Sequence, residues 1–409
     1  MMNFKLWNFI VTVFFLFIVY ACEPDNEPGL SDEYTSDKTG YAMFNDARGS
    51  SGGSATGGGS STGSGGTNQG NNAGLITAGE WNDLDNWVYW SELIIGQDYS
   101  KMPDYWGFYT QNRISVVLTT NGSPAVDTKL ELKKKGQTVW RSKTDNMGRA
   151  ELWIALFQKD NSLNMSDYDL YVNGNKVNRN LTLFENGVNK INITSATSVS
   201  DRVELAFVVD ATGSMGDEME FLKDDLKDVV QKVLKGKTNL DVFTSTVFYR
   251  DQGDEYLVKK SGFTSDINST VNFIAKQRAD GGGDFPEAVH TALKTAFNEL
   301  QWSDKAKARI AFLLLDAPPH YTSEIIAEVQ QQTLRAAEKG IKIIPVTASG
   351  IDKETEFLMR FMAMATNGTY IFITNDSGIG NHHIQASVGD YEVELLNDLL
   401  VRLIRKYSN

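Results

Sequence analysis

The stretch Val203–Glu218 reads V-E-L-A-F-V-V-D-A-T-G-S-M-G-D-E, and its reading decides the fold. A run rich in Val, Leu and Phe, the pattern of a buried strand, ends abruptly in an acid. Three oxygen-bearing side chains follow at alternate positions: Asp210, Thr212 and Ser214. The acidic, amphipathic segment Met219–Leu234 then predicts a helix. A tight turn between the two can point all three oxygens into one concavity at the carboxyl end of the strand. That is where open α/β sheets bind ligands. One carboxylate with two neutral hydroxyls is a hard-oxygen donor set, suited to Mg²⁺, Mn²⁺ or Ca²⁺ rather than to a soft metal. The stretch predicts a metal-dependent binding module, not an enzyme.

Outward from it, the chain from about Ser198 alternates strand and helix signals. Expected strands are Val203–Val209, Leu240–Tyr249, Ala308–Leu315, Ile341–Thr347 and Gly368–Thr374, with Glu255–Ser261 as an antiparallel edge. Expected helices are Met219–Leu234, Asp266–Gln277, Pro286–Leu300, Thr322–Lys339, Lys353–Ala365 and Tyr391–Lys406. The order βαββαβαβαβα describes a doubly wound α/β domain over residues 198–409.

Residues 77–197 read differently. Short alternating runs at Ile114–Thr119, Lys129–Lys134, Thr138–Ser142, Arg149–Ala155, Tyr168–Val172 and Asn189–Ile193 are separated by turn signals such as Asn121-Gly122 and Asn173-Gly174. They predict an antiparallel β-sandwich of roughly seven strands, similar to transthyretin- or immunoglobulin-like modules. Trp81, Trp87, Trp90 and Trp106 fit a packed core, or packing on the next domain, better than a sugar-stacking face.

Before the sandwich, residues 23–76 hold almost no core and include a long Gly/Ser-rich run. A coil of about 50 such residues has a root-mean-square span near 40 Å, enough to act as a tether. Residues 1–22 carry Lys5 and then an apolar run, Phe9–Tyr20, too short to cross a bilayer, which predicts a signal peptide. The sole cysteine, Cys22, falls where bacterial lipoprotein signals place the lipidated residue, and Val19, Ala21 and Cys22 resemble a lipobox. Glu23, Asp25 and Glu27 resemble the surface-export signals of some Bacteroidetes lipoproteins. The expected location is the bacterial outer membrane, lipid-anchored, on its periplasmic or cell-surface face.

A net charge of −13 over 409 residues argues against nucleic-acid binding, which needs a cationic surface. One cysteine excludes a disulfide within the chain, and four histidines argue against a His-rich zinc site. His290 is expected to be packed in a helix, His320 to be a surface residue, and the adjacent His382 and His383 not to share an ion.

D-A-T-G-S at 210–214 matches the D-x-[ST]-x-S signature of the metal-ion-dependent adhesion site in von Willebrand factor A domains, and roughly residues 200–407 resemble that family. The loop G-G-G-D-F-P-E at Gly281–Glu287 is similar to the integrin β-subunit and hemicentin-type variant, in which a glutamate is the metal ligand. The resemblance implies that Glu287 takes this role and that Asp316, ending L-L-L-D, completes the set Asp210, Thr212, Ser214, Glu287 and Asp316. It also implies a second cation site from Asp251, Asp284 and the Pro286 carbonyl, although Gly282 stands where an asparagine is expected. Asp217 and Glu218 match a third. Acids just after a turn are also ordinary helix-start residues, favoured by the helix dipole. The implied function is recognition of a protein partner's acidic side chain through a divalent cation, Mg²⁺ first, with Mn²⁺ and Ca²⁺ as alternatives. A direct glutamate ligand makes the cation less electrophilic and lowers its affinity for an incoming carboxylate.

Competing readings find less support. A haloacid-dehalogenase nucleophile needs D-x-D, and position 212 is threonine. No phosphate-binding G-x-x-x-x-G-K-[ST] is present, and Gly213-Ser214-Met215-Gly216 does not fit the G-x-S-x-G elbow of a serine hydrolase. A chelatase or ATPase-coupled A domain acting in the cytoplasm conflicts with the signal peptide. The main alternative is an envelope scaffold in which the metal only stabilises the fold.

Overall fold

The computed structural model describes residues 74–409, apart from 160–161, 196, 236–239 and 381. The signal peptide, Cys22 and the tether up to residue 73 lie outside the described residues. Among those described, no helix is long and apolar enough to cross a membrane.

The first strand departs from expectation. β1 (Thr77–Trp81) belongs to the large sheet of the α/β part rather than to the sandwich. The aromatic run after it folds into two short helices, α1 (Trp87–Leu93) and α2 (Met102–Trp106). The reason lies in the tryptophans. Trp90 packs against Phe357 and Phe361 with centroids 5.7 and 5.4 Å away, and the Trp106 indole N–H donates to the Glu354 carbonyl at 2.7 Å. Trp81, Trp87, Trp90 and Trp106 are all buried, so they form core and not an exposed stacking face.

The sandwich itself follows. It comprises β2 (Arg113–Thr120), β3 (Ser123–Pro124), β4 (Lys129–Lys134), β5 (Gln137–Lys143), β6 (Arg149–Trp153), β7 (Tyr168–Val172), β8 (Asn175–Lys176) and β9 (Asn189–Ile193). One sheet runs β3-β2-β6 with β9 on the other side of β2; the second runs β5-β4-β7-β8. Alternation sets the faces: Tyr168, Leu170 and Val172 are buried while Asp169 and Tyr171 face outward. Asn121-Gly122 and Asn173-Gly174 each supply two consecutive positive φ angles, as two-residue hairpins require. The expected all-antiparallel pairing fails at one place, because β9 runs parallel to β2, with Val116 opposite Asn189. The long excursion from β6 to β9 lets the chain return in that direction.

The α/β part contains β10 (Arg202–Asp210), α3 (Gly216–Lys235), β11 (Asp241–Tyr249), β12 (Val258–Lys260), α4 (Ile267–Ala275), α5 (Val289–Lys294), β13 (Ala308–Leu315), α6 (Ser323–Lys339), β14 (Ile341–Thr347), α7 (Lys353–Ala365), β15 (Tyr370–Ile373), β16 (Val393–Leu395) and α8 (Leu396–Ser408). The sheet order is β12-β11-β10-β13-β14-β15-β1-β16, parallel from β11 to β15 and antiparallel at β12, β1 and β16. Every residue of β13 and β14 is buried, as expected for strands covered on both faces. Along β10 the faces alternate. Val203, Leu205, Phe207 and Val209 meet α3 and α8; Ala206 and Val208 join a core shared with α5, α6, α7 and the sandwich.

Two expected helices start late, for identifiable reasons. The segment expected as helix from Pro286 becomes helical only at Val289, because the Glu287 N–H donates to the Pro318 carbonyl at 2.8 Å. Its second half, Thr295–Glu299, is wound as a π-helix. The segment expected as helix from Tyr391 first forms β16, pairing with β1 from Thr77↔Leu395 to Gly79↔Val393.

Candidate metal centre

Three parallel strands end together and set the site. Asp210 is the last residue of β10 and pairs with Tyr249, the last of β11; Asp316 directly follows β13. The turn after β10 is held by its own acid. The Thr212 N–H and hydroxyl both donate to Asp210 Oδ1, at 2.9 and 2.6 Å, and Ser214 Oγ lies 3.2 Å from Thr212 Oγ1. The Gly213 N–H donates to the Gly281 carbonyl at 3.0 Å, tying this turn to the loop that carries Glu287.

Gly282 explains how Glu287 closes in. It adopts φ +74°, and a Cβ there would lie 2.9 Å from Glu287 Oε1 and 3.4 Å from the Thr212 Cβ. The glutamate and threonine therefore crowd the same point, and an asparagine there, where the integrin-type loop carries one, would have to push the Glu287 carboxylate aside. Asp254, which the sequence reading passed over, fixes this glycine by accepting its N–H at 2.9 and 3.2 Å. Acid spacing in R-D-Q-G-D was the only signal available for it.

Asp210, Glu287 and Asp316 are buried, and each keeps one oxygen without a hydrogen-bond partner among the described residues: Asp210 Oδ2, Glu287 Oε2 and Asp316 Oδ1. Buried anionic oxygens are seldom left unmatched, since an unpaired buried charge is costly. Burial, followed by the charges of its neighbours, pushes Glu287 up to about 9 and Asp316 to about 7. Burial also raises Asp210, to about 6, against the hydrogen bonds from Thr212. Carboxylates forced together in this way fit a divalent cation, which would supply the missing positive charge. The donor set is all oxygen, as the sequence reading expected, and suits a hard ion.

The other expected acids divide. Asp251 and Asp284 approach each other, and His320 joins them: one ligand atom from each lies within 4.8 Å of the others. His320 Nε2 is 2.8 Å from Asp251 Oδ1, so the residue read as an ordinary surface histidine belongs to this cluster. Pro286 is half-buried in the same loop. Glu218 turns inward instead, where it accepts from the backbone N–H and the hydroxyl of Ser349, and Gly380 packs against it. The side chain of Asp217 lies outside the described residues. His382 is exposed and His383 buried, with His383 Nδ1 3.0 Å from Asn375 Oδ1. His290 is half-buried, and burial lowers its pKa.

Comparison with known proteins bears on the fold that carries this site. The family model of the von Willebrand factor A domain matches residues 204–378. An ariadne-like RING finger protein of Acanthamoeba polyphaga mimivirus is 38% identical over 121 residues, which are 30% of this chain and 12% of that protein. An alpha-protein kinase of Dictyostelium discoideum is 31% identical over 129 residues, 31% of this chain and 20% of that one. The chain thus spans a fifth or less of these curated relatives. Among solved structures, proximal thread matrix protein 1 of the mussel byssus is 17% identical, covering 51% of this chain and 45% of its own, with a TM-score of 0.35. One structure of that protein has zinc in its adhesion-site motif. BatB from Bacteroides thetaiotaomicron is 16% identical over 50% of this chain and 98% of its own, with a TM-score of 0.34. With the signature turn, the sheet order and the family match in agreement, this chain contains a von Willebrand factor A domain, a mixed α/β sheet flanked by helices, of a kind that commonly carries a metal-ion-dependent adhesion site and mediates protein–protein interaction.

Proposed function

We propose that the chain is a membrane-anchored binding protein whose A domain recognises an acidic side chain of a protein partner through a divalent cation, Mg²⁺ first. The observation that carries this reading is the set of three buried, unpartnered carboxylate oxygens on Asp210, Glu287 and Asp316. When bound, the cation supplies a Lewis-acidic coordination position for an incoming carboxylate. Asp210, Thr212 and Ser214 hold it from the turn after β10, and Glu287 and Asp316 close the other side. Thr212 is itself oriented by Asp210, which keeps its hydroxyl in the site. The role is binding rather than catalysis, and the acidic surface favours no nucleic-acid partner. Cys22 provides the lipid anchor, and the Gly/Ser-rich tether carries the folded part away from a bacterial outer membrane.

The test is calorimetric titration of the chain with Mg²⁺, Mn²⁺ and Ca²⁺, beside Asp210→Ala, followed by cross-linking to envelope proteins with and without a chelator. Saturable metal binding lost in Asp210→Ala, together with cross-links abolished by the chelator, supports the reading. Cross-links that survive both treatments refute the metal bridge and favour the scaffold alternative.

A further inference from the structure

The cluster formed by Asp251, Asp284 and His320 differs in kind from the first site. Asp251 follows β11 and is buried, whereas Asp284 is exposed on the Gly281–Glu287 loop. His320 follows the Pro318–Pro319 segment, which is hydrogen-bonded to Glu287. Three separate chain segments therefore converge, with one ligand atom from each inside a 4.8 Å span. Among the described residues no lysine or arginine lies within salt-bridge distance of Asp251 or Asp284; the only basic group reaching Asp251 is the His320 imidazole, at 2.8 Å. A buried carboxylate held only by a neutral-capable imidazole is poorly compensated.

The donor chemistry decides which ion fits. Two carboxylates and an imidazole nitrogen suit Zn²⁺ and neighbouring transition metals, whereas Mg²⁺ and Ca²⁺ favour oxygen alone. Three protein ligands with one of them exposed also match an open site, with a coordination position left to water or a partner. We propose that Asp251, Asp284 and His320 form a second cation site, beside the first, that selects Zn²⁺ or a similar transition-metal ion over Mg²⁺ and Ca²⁺. The two sites then divide the labour by donor set: an all-oxygen centre for a hard ion and a nitrogen-containing centre for a borderline one. This site stands on its own residues and does not require the partner-binding role proposed above.

The test is equilibrium dialysis of the full chain against Zn²⁺ with millimolar Mg²⁺ present to fill the first site, followed by metal analysis. Wild type should retain one equivalent of Zn²⁺, and Asp210→Ala should retain it too. His320→Ala and, independently, the exposed-residue variant Asp284→Asn should lose it, and Asp284→Asn should keep the wild-type melting temperature in the metal-free state. Substituting Co²⁺ should give a visible absorption band that disappears in His320→Ala. Zn²⁺ retained in both His320→Ala and Asp284→Asn, or lost in Asp210→Ala, overturns the proposal, because the ion then sits elsewhere or in the first site.

Discussion

Binding of a divalent cation at the first site must expel protons, and the number expelled follows from the carboxylate environment. Glu287 is pushed up to about 9, Asp316 to about 7 and Asp210 to about 6, chiefly by burial. At pH 7 Glu287 is then largely protonated and the coupled pair Asp316 and Asp210 shares part of a further proton, so the three interacting groups hold roughly one and a half protons between them. A metal needs the deprotonated oxygens, so these protons leave on binding. The logarithm of the apparent affinity should rise with pH at a slope near 1.5 around pH 7, about 30-fold per unit, and flatten to about 0.5 near pH 9, where only Glu287 still carries part of a proton. The assay is calorimetry with Mg²⁺ in pairs of buffers of different ionisation enthalpy, which counts released protons directly. Glu287→Gln should lower the count at pH 7 by about one. A slope below about 0.3 between pH 6.5 and 8 would falsify the reasoning, since it would mean the carboxylates are already charged without the metal.

Other outcomes follow from the same structure. The raised carboxylates make the metal-free protein hold protons that the unfolded chain, titrating near pH 4, has released, so the stability these three groups contribute is full below that pH and is lost as pH rises through about 6 to 9; melting scans between about pH 6 and 9 should show this decline, flattened by saturating Mg²⁺. Asp225 contributes in the same sense, because burial raises it to about 7 while it accepts the Gly74 N–H at 2.6 Å, and Asp225→Asn should make the decline shallower. Asp83 makes a two-point ion pair, at 2.6 and 2.9 Å, with the fully buried Arg360; Asp83→Ala should cost about 3–5 kcal/mol in denaturant unfolding, and a loss under about 1 kcal/mol would contradict the role given to that pair. Gly282→Asn should leave the fold intact by circular dichroism yet weaken Mg²⁺ binding at least tenfold, since its side chain would meet Glu287 Oε1. A fragment of residues 198–409 should fail to fold where 74–409 folds, because without β1 the strand β16 loses its sheet partner, β15 keeps only β14, and Arg360 loses Asp83.

Much of the α/β part was legible because its signals are local. β13, β14 and α7 fall on the predicted residues since each is a continuous apolar run or an amphipathic segment with its own boundary: Asp352 accepts from the Thr355 N–H at the start of α7, and Gly340, at φ +70°, ends α6. The turn Asp210–Ser214 was legible for the same reason, being a strand end followed by three oxygens whose hydrogen bonds stay within the motif.

Sequence by itself therefore determined the class of the fold, the positions of most of the longer strands, and the oxygen-rich character of the first site, because hydrophobic period and side-chain chemistry are properties of neighbouring residues. Only the tertiary structure decided where β1 belongs, since a five-residue strand carries no mark of its partner, and its partners β15 and β16 lie at the far end of the chain, from Thr77↔Leu395 to Trp81↔Tyr370. It alone also decided that Glu287 is drawn out of its expected helix by Pro318, that Gly282 leaves room for that carboxylate, and that His320 meets Asp251 across 69 positions of chain. Contacts of this kind depend on how separate segments are brought together by burial of the shared core, and no local pattern encodes them.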